Sequence, residues 1–366
     1  MIQNVGWCIV FIYVVTFYVI VFFFFLNPRL DTKAGRYFRI FSVIYFLWFV
    51  GCRHSVGADW EAYLYHFQNL KLSFGEFVKS MFIWDPGYVL VEYIAKVLGL
   101  GIYGVNTVCA FLFFLGLIGL INAFEIKMRE ALLVAFPYLI MVVANGYTRQ
   151  SAALGLTMSA LSYFKQGKFS RSVTSFVLAV LFHKSALIAV VIYLIKPRSF
   201  RPTSFIFSLI GAITVATILF KAFENRYALL YRYYFKGGMH SSGGVVRIAI
   251  NMVASIVLFL FFRQWKKRWD DFVIWEWFSY ITTVMFVSTL LTKTTTLGDR
   301  LLLYFYPLQI VVFPKVAKLI SGKPLRALYL ILFTAAYSAV LFVWLFYAVH
   351  RDSWIPYNNL LFMIWR

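Results

Sequence analysis

Long apolar stretches alternate with short basic clusters along the whole chain. A helix crossing the hydrocarbon core of a bilayer needs about 20 predominantly apolar residues. Stretches of that character cover 5–26, 38–52, 106–124, 131–145, 150–164, 204–223, 245–262, 272–291, 301–313 and 327–348. Two further stretches are irregular: 88–100 is short and runs into Gly99 and Gly101, and 172–195 is interrupted by His183, Lys184 and Ser185. Broken backbone at membrane depth is tolerated where it lines a polar cavity, so both read as re-entrant segments. The pattern predicts an all-α polytopic membrane protein with about 10 to 13 transmembrane or re-entrant helices. With no Pro/Ser linker, low-complexity tract or convincing internal repeat, it predicts a single domain over 1–366.

Composition removes the soluble alternative. Of the residues 62% are apolar, 21% aromatic and only 13% charged, more apolar surface than a water-soluble core can hide. The net charge of +21 would suit nucleic acid if it formed one surface, but the cations fall into six clusters, 29–39, 127–129, 165–171, 196–201, 263–268 and 315–326. The positive-inside rule places such clusters on the cytoplasmic side. All six fit there if 88–124 makes one net crossing and 171–196 rises and returns with His183 at its tip. Both termini and the segments 53–87, 146–149, 224–244 and 292–300 then lie outside, and the unusual polar residues share one face. The stretch 5–26 lacks a basic leader and a small-residue cleavage site and is expected to stay in the mature protein. Cys8, Cys52 and Cys109 sit in or beside apolar stretches without metal-ligand spacing and read as small core residues.

The first outer loop concentrates Arg53, His54, Asp59, Trp60, Glu61 and Tyr63 around Gly57. Gly57 would let the backbone approach a ligand, and Trp60 and Tyr63 can stack on sugar rings; an interfacial aromatic belt with ordinary loop charges is the alternative. Asp85 before Pro86 reads as an N-cap entering a helix, or as a second carboxylate of the site. Arg149 opens an apolar helix, where a guanidinium beside free N–H groups favours phosphate, unless it only snorkels to the interface. His183, in apolar surroundings, can be a general base, a hydrogen-bond donor or a structural group. Arg226, Arg232, Lys236, His240 and Arg247 populate a glycine-rich stretch that suits a basic lid or a solvated loop. Asp299 and Arg300 can pair or cap, and Arg300 is a candidate second phosphate ligand. There is no P-loop, dinucleotide glycine fingerprint, HExxH motif or nucleophile elbow, so scattered residues at the membrane edge must do any chemistry.

In order along the chain these residues resemble the EpsG family of membrane polysaccharide polymerases, related to Wzy O-antigen polymerases. Arg53, Gly57, Asp59 and Tyr63 resemble its first-loop motif, and Asp85-Pro86-Gly87-Tyr88 its Glu-Pro-Gly-aromatic motif, with aspartate where glutamate is commoner. Arg149, His183-x-Ser185-Ala186 and Asp299-Arg300 with Tyr304 resemble the rest. The resemblance implies a GT-C-like glycosyltransferase in the bacterial inner membrane that extends a glycan on undecaprenyl diphosphate at the periplasmic face. It implies a lipid-linked donor and acceptor, no cofactor and no metal, and a chain-length regulator as partner. On that reading His183, Asp59 and Asp85 are catalytic, with one of His183 and Asp59 as base. Arg149 and Arg300 first, then Arg53 and Arg247, hold the diphosphate, and Trp60, Tyr63 and Tyr88 contact sugar. The rival expectations are an O-antigen ligase, which passes a similar donor to lipid A core, a lipid-linked oligosaccharide flippase and a membrane O-acetyltransferase. A flippase would often show repeat symmetry, and an acetyltransferase would need its histidine open to cytoplasmic acyl-CoA.

Overall fold

The computed structural model describes residues 2–26, 33–194, 244–292 and 295–361. The expected span 204–223, most of the expected loop 224–244, and with it Arg226, Arg232, Lys236 and His240, lie outside the described residues.

The described chain is helical. In order it forms α1 (Ile2–Phe25), α2 (Lys33–Gly51), α3 (Trp60–Asn69), α4 (Phe74–Ile83), α5 (Pro86–Val97), α6 (Gly101–Ala123) and α7 (Met128–Ala135). A π-helical stretch, Phe136–Ala144, continues from α7 and leads into α8 (Thr148–Lys165), followed by α9 (Phe169–Phe182) and a 3-10 segment, Lys184–Leu194. Then come α10 (Gly244–Leu260), α11 (Phe262–Arg268), α12 (Phe272–Thr292), α13 (Thr295–Leu302), α14 (Pro307–Ala317) and α15 (Lys323–Tyr347).

Among the described residues, three helices are by themselves long and apolar enough to cross a membrane: α6, α12 and α15. Two bent pairs raise the number to five: α10 with α11, bent by 72°, and Gly298–Phe305 with α14, bent by 46°. Their outer faces carry large exposed apolar side chains such as Phe111, Val284, Leu291, Ile331 and Phe342, which suits lipid and not water. Among the described residues the protein is thus all-helical and membrane-embedded, with fewer unbroken spans there than the 10 to 13 segments expected of the whole chain. Part of the difference has a visible cause. The stretch 131–145 divides between α7 and the π-helical stretch at Pro137, and α2 opens with Lys33, Arg36 and Arg39.

Helix α8 is the centre of the bundle. From Gln150 to Ser162 every residue is buried, and its face toward α6 is stripped to glycine. A Cβ on Gly116 would lie 1.8 Å from the carbonyl oxygen of Gly155, and one on Gly155 would lie 2.4 Å from Phe113 Cα. Small residues of this kind let helix backbones touch in a membrane, where packing and not the hydrophobic effect holds helices together. The buried hydroxyls bond back to their own turns, Thr157 Oγ1 to the Ala153 oxygen at 2.9 Å and Ser162 Oγ to the Met158 oxygen at 2.6 Å. The crossing fixes where the first turn of α8 points.

The two ends of α6 and α8 differ in chemistry. At the C-terminal ends, Arg39 donates to Asn122 Oδ1, Lys318 to the Glu125 oxygen, Arg268 to the Lys318 oxygen, and Lys165 pairs with Asp270. Lys315 and Asp271 form a buried pair there, with Trp265 Nε1 also donating to Asp271 at 2.8 Å. Members of the clusters 29–39, 165–171, 263–268 and 315–326 therefore gather at one end of the bundle.

The opposite end is built from three layers of backbone. The loop after α2, the turn before α8 and the segment after α15 stack on one another. Gly57 N–H donates to the Ser353 oxygen at 2.6 Å, His54 N–H to the Asn358 oxygen at 3.0 Å and Leu360 N–H to the Cys52 oxygen at 2.8 Å. Gly57 has φ +104°, and a Cβ there would meet the Asn145 oxygen at 2.4 Å. The close approach expected of Gly57 is thus to neighbouring backbone. On the other side of the turn, a Cβ on Gly146 would lie 2.2 Å from the Trp354 ring. These stacked layers form the floor of a cavity.

Candidate active site

A cavity of about 430 Å³ opens at this end, lined by residues from six separate parts of the chain. Asp59 and Tyr63 come from α3 and its entry, Arg149 and Gln150 from the first turn of α8, and His183 from the break after α9. Arg247 comes from α10, Asp299 and Arg300 from α13, and Trp344, His350 and Trp354 from α15 and the segment after it. Of the residues expected in the site, Asp59, Tyr63, Arg149, His183, Arg247 and Arg300 share this cavity. Arg53, Trp60, Asp85 and Tyr88 do not line it.

Those four are buried beneath the wall, and each has another task. Arg53 is 1% exposed and donates to the oxygens of Val50 (3.0 Å) and Val56 (3.2 Å) and to Thr148 Oγ1 (2.7 Å), tying the first loop to the start of α8. Arg53, expected to hold the diphosphate, thus directs these donors to the protein itself. Trp60, expected to contact sugar, packs its ring against Arg53, with 5.8 Å between the guanidinium and the ring centre, and against His54. Tyr88, 1% exposed, and Trp84 and Tyr63 surround Arg149, whose guanidinium carbon lies 5.4–5.9 Å from the three ring centres. Tyr88, expected to contact sugar, thus packs against the Arg149 cation; Tyr63 does this and also reaches the cavity.

Asp85 occupies the N-cap position of α5, with Pro86 in the first turn as expected, yet its side chain caps nothing in α5. It accepts from Arg149 Nη1 at 2.8 Å and from the backbone N–H of Lys184. Gly87 makes this possible: a Cβ there would lie 2.9 Å from the Phe182 ring, so the start of α5 lies tight against the end of α9. Asp85 is 4% exposed and adjoins the cavity through Arg149 and through the backbone beside His183.

His183 ends α9 in an extended conformation, φ −161° and ψ 123°. Its Nδ1 lies 2.5 Å from Ser185 Oγ, which lies 3.0 Å from the Tyr304 hydroxyl. Burial first, then the charges of Arg149, Arg300 and Lys184, hold the imidazole below its ordinary pKa and keep it neutral. Asp59 is partly buried, and burial raises its carboxyl above the usual range, opposed by Arg149 and Arg300. Arg247 forms a two-bond fork with Asp299, Nε to Oδ1 at 2.7 Å and Nη2 to Oδ2 at 2.6 Å, over the ring of Tyr138. Asp299 therefore pairs across helices, with Arg247 of α10. Gln150 Nε2 donates to the Arg300 carbonyl at 3.1 Å and fixes that segment against α8.

Tyr138, Tyr147, Gln150, Trp344, His350 and Trp354 line the cavity without having been singled out from sequence. The signal available for the last three was two tryptophans and a histidine around the end of the final apolar stretch. Among the described residues no group of three His, Cys, Asp or Glu is placed to hold a metal ion.

The lining combines three cations, Arg149, Arg247 and Arg300, with the aromatic side chains of Tyr147, Trp344 and Trp354. Such a site suits an anion attached to an amphipathic ligand. No curated protein and no solved structure matches the chain. A family model, that of the EpsG family, matches residues 36–359, a range that contains every residue lining the cavity, and the chain belongs to the EpsG family.

Proposed function

We propose that the protein is a GT-C-like membrane glycosyltransferase that polymerises oligosaccharide repeat units carried on undecaprenyl diphosphate, at the periplasmic face of the bacterial inner membrane. Membership of the EpsG family supports a polysaccharide polymerase-type role. The observation that carries the reading further is the convergence of Arg149, Arg247 and Arg300 with Asp59 on one cavity. The leaving group of such a transfer is a lipid diphosphate, whose developing charge needs fixed cations in a site poor in water.

The acceptor's non-reducing sugar hydroxyl attacks the anomeric carbon of the donor glycan. A carbon–oxygen bond forms there as the bond to the phosphate oxygen breaks, and undecaprenyl diphosphate leaves with the electron pair. Asp59 takes the hydroxyl proton, since its raised pKa makes it a better base than an ordinary carboxylate. Arg149 and Arg300 hold the diphosphate, and Arg247, oriented by Asp299, adds to the same lining. Removing one such donor costs about 10²–10³-fold in kcat. Arginine forks can carry this charge, so the reaction is proposed to run without a divalent ion.

The test is chain extension by the purified protein on synthetic undecaprenyl-diphosphate-linked repeat units, with and without EDTA, resolved on a gel. A ladder that persists in EDTA and disappears in Arg149→Ala is the expected result. A wild-type protein that makes no ladder from its correct repeat unit would remove the polymerase reading and leave a ligase or a flippase.

A further inference from the structure

Two groups of Ser185 converge on one ring nitrogen of His183. The backbone N–H lies 3.3 Å from Nδ1 and the hydroxyl oxygen 2.5 Å from it. A backbone N–H can only donate. Nδ1 is therefore an acceptor without a proton, and a neutral imidazole in that state carries its proton on Nε2.

The neighbours reinforce this direction. Ser185 gives its hydroxyl hydrogen to Nδ1 and accepts from Tyr304, 3.0 Å away. Tyr304 is bonded in turn by the Gln150 side chain, whose amide nitrogen also donates to the Arg300 oxygen. Tyr304 is 1% exposed, so water does not compete for its hydroxyl. A second proton on the ring would place another cation beside Arg149, Arg300 and Lys184. His183 lines the cavity with Nδ1 occupied, which leaves Nε2–H as the group available to a ligand.

We propose that His183 is a fixed neutral hydrogen-bond donor, presenting Nε2–H to a phosphate or leaving oxygen in the cavity, with Ser185 and Tyr304 as positioning residues that hold this tautomer. It is then not the general base, and the acceptor proton goes to Asp59. The part played in glycosyl transfer rests on the function proposed above, whereas the tautomer does not.

The experiment has two arms. In the first, the full-length protein is labelled with ¹⁵N on its imidazoles, and the His183 signals are assigned among five histidines by their loss in His183→Gln. A directly bonded proton on Nε2 and none on Nδ1, unchanged between about pH 8 and about pH 6, is expected. Ser185→Ala and Tyr304→Phe should give mixed tautomers and Ser185→Thr should restore one. A proton on Nδ1 in the wild type, or protonation near the ordinary imidazole value of about 6.5, overturns the proposal. In the second arm, chain extension by His183→Gln, whose amide can still donate, stays within about 10-fold of wild type, while His183→Ala falls about 10²–10³-fold. Equal losses in the two variants overturn the donor role. A wild type without chain extension sinks the proposed function, and the tautomer is still decided by the spectra.

Discussion

Arg149 Nη1 and Asp85 Oδ2 meet at 2.8 Å across 64 residues of sequence, joining the first turn of α8 to the entry of α5. Asp85 also accepts the Lys184 N–H, so one carboxylate locates both the guanidinium and the break that carries His183. The relationship explains why a buried aspartate outside the cavity matters to what happens inside it.

Replacing Asp85 with Asn should lower kcat about 10-fold or more, because Arg149 loses its charged anchor while remaining in its ring of aromatics. Melting temperature should fall too, since removing one partner of a largely buried pair costs about 3 kcal/mol. Asp85→Glu keeps the pair and should keep most of the activity. Activity equal to wild type in Asp85→Asn would remove the positioning role.

Activity should fall on the acid side at a higher pH than an ordinary carboxylate would give. Asp59 must be ionised to accept a proton, and burial raises its pKa, so the active form is lost as pH falls through that raised value. Arg300 opposes the rise; Arg300→Gln should therefore move the acid limb to still higher pH, besides lowering the rate. The profile of kcat/KM against pH in both proteins checks this, and a limb that does not move in the variant would argue against Asp59 as the base.

Gly116→Ala and Gly155→Ala should each destabilise the protein by about 3 kcal/mol or more, because the new methyl would overlap backbone of the facing helix. Gly75→Ala is the control. Gly75 lies in α4 with nothing within 4 Å of a built Cβ, and the substitution should be neutral or stabilise by up to about 1 kcal/mol. Thermal unfolding of the three purified variants separates the two cases.

At the basic end, Lys315→Met should destabilise by about 3–5 kcal/mol by leaving Asp271 buried without its cation. Lys315→Met combined with Asp271→Leu should recover much of that loss, because no uncompensated charge remains, although Trp265 Nε1 loses its acceptor. A double-mutant cycle on unfolding midpoints measures the coupling, and additive losses would show that the pair is not coupled.

The sequence by itself determined the class of the protein. Apolar stretches of membrane length and charges confined to short clusters leave no water-soluble fold, and the order of Asp59, Arg149, His183 and Arg300 marked the family and most of the cavity's polar wall. Those signals are local: apolar runs and rare charges in an apolar chain are visible without knowing what touches what. Tertiary structure decided the roles. Arg53 and Arg149 read alike in sequence, yet Arg53 spends its donors on Val50, Val56 and Thr148, while Arg149 stands at the cavity with Asp85 behind it. Tyr88 and Trp60 read as sugar platforms, and only the tertiary structure shows them buried beside the guanidinium groups of Arg149 and Arg53. Trp354 joins the site because the segment after α15 folds back over Gly57 and Gly146, and it packs there against Trp344 of α15. The spacing of residues along a chain carries no information about such returns; they follow from where glycines at 116 and 155 let α6 and α8 cross, and from the backbone hydrogen bonds that close the layers above.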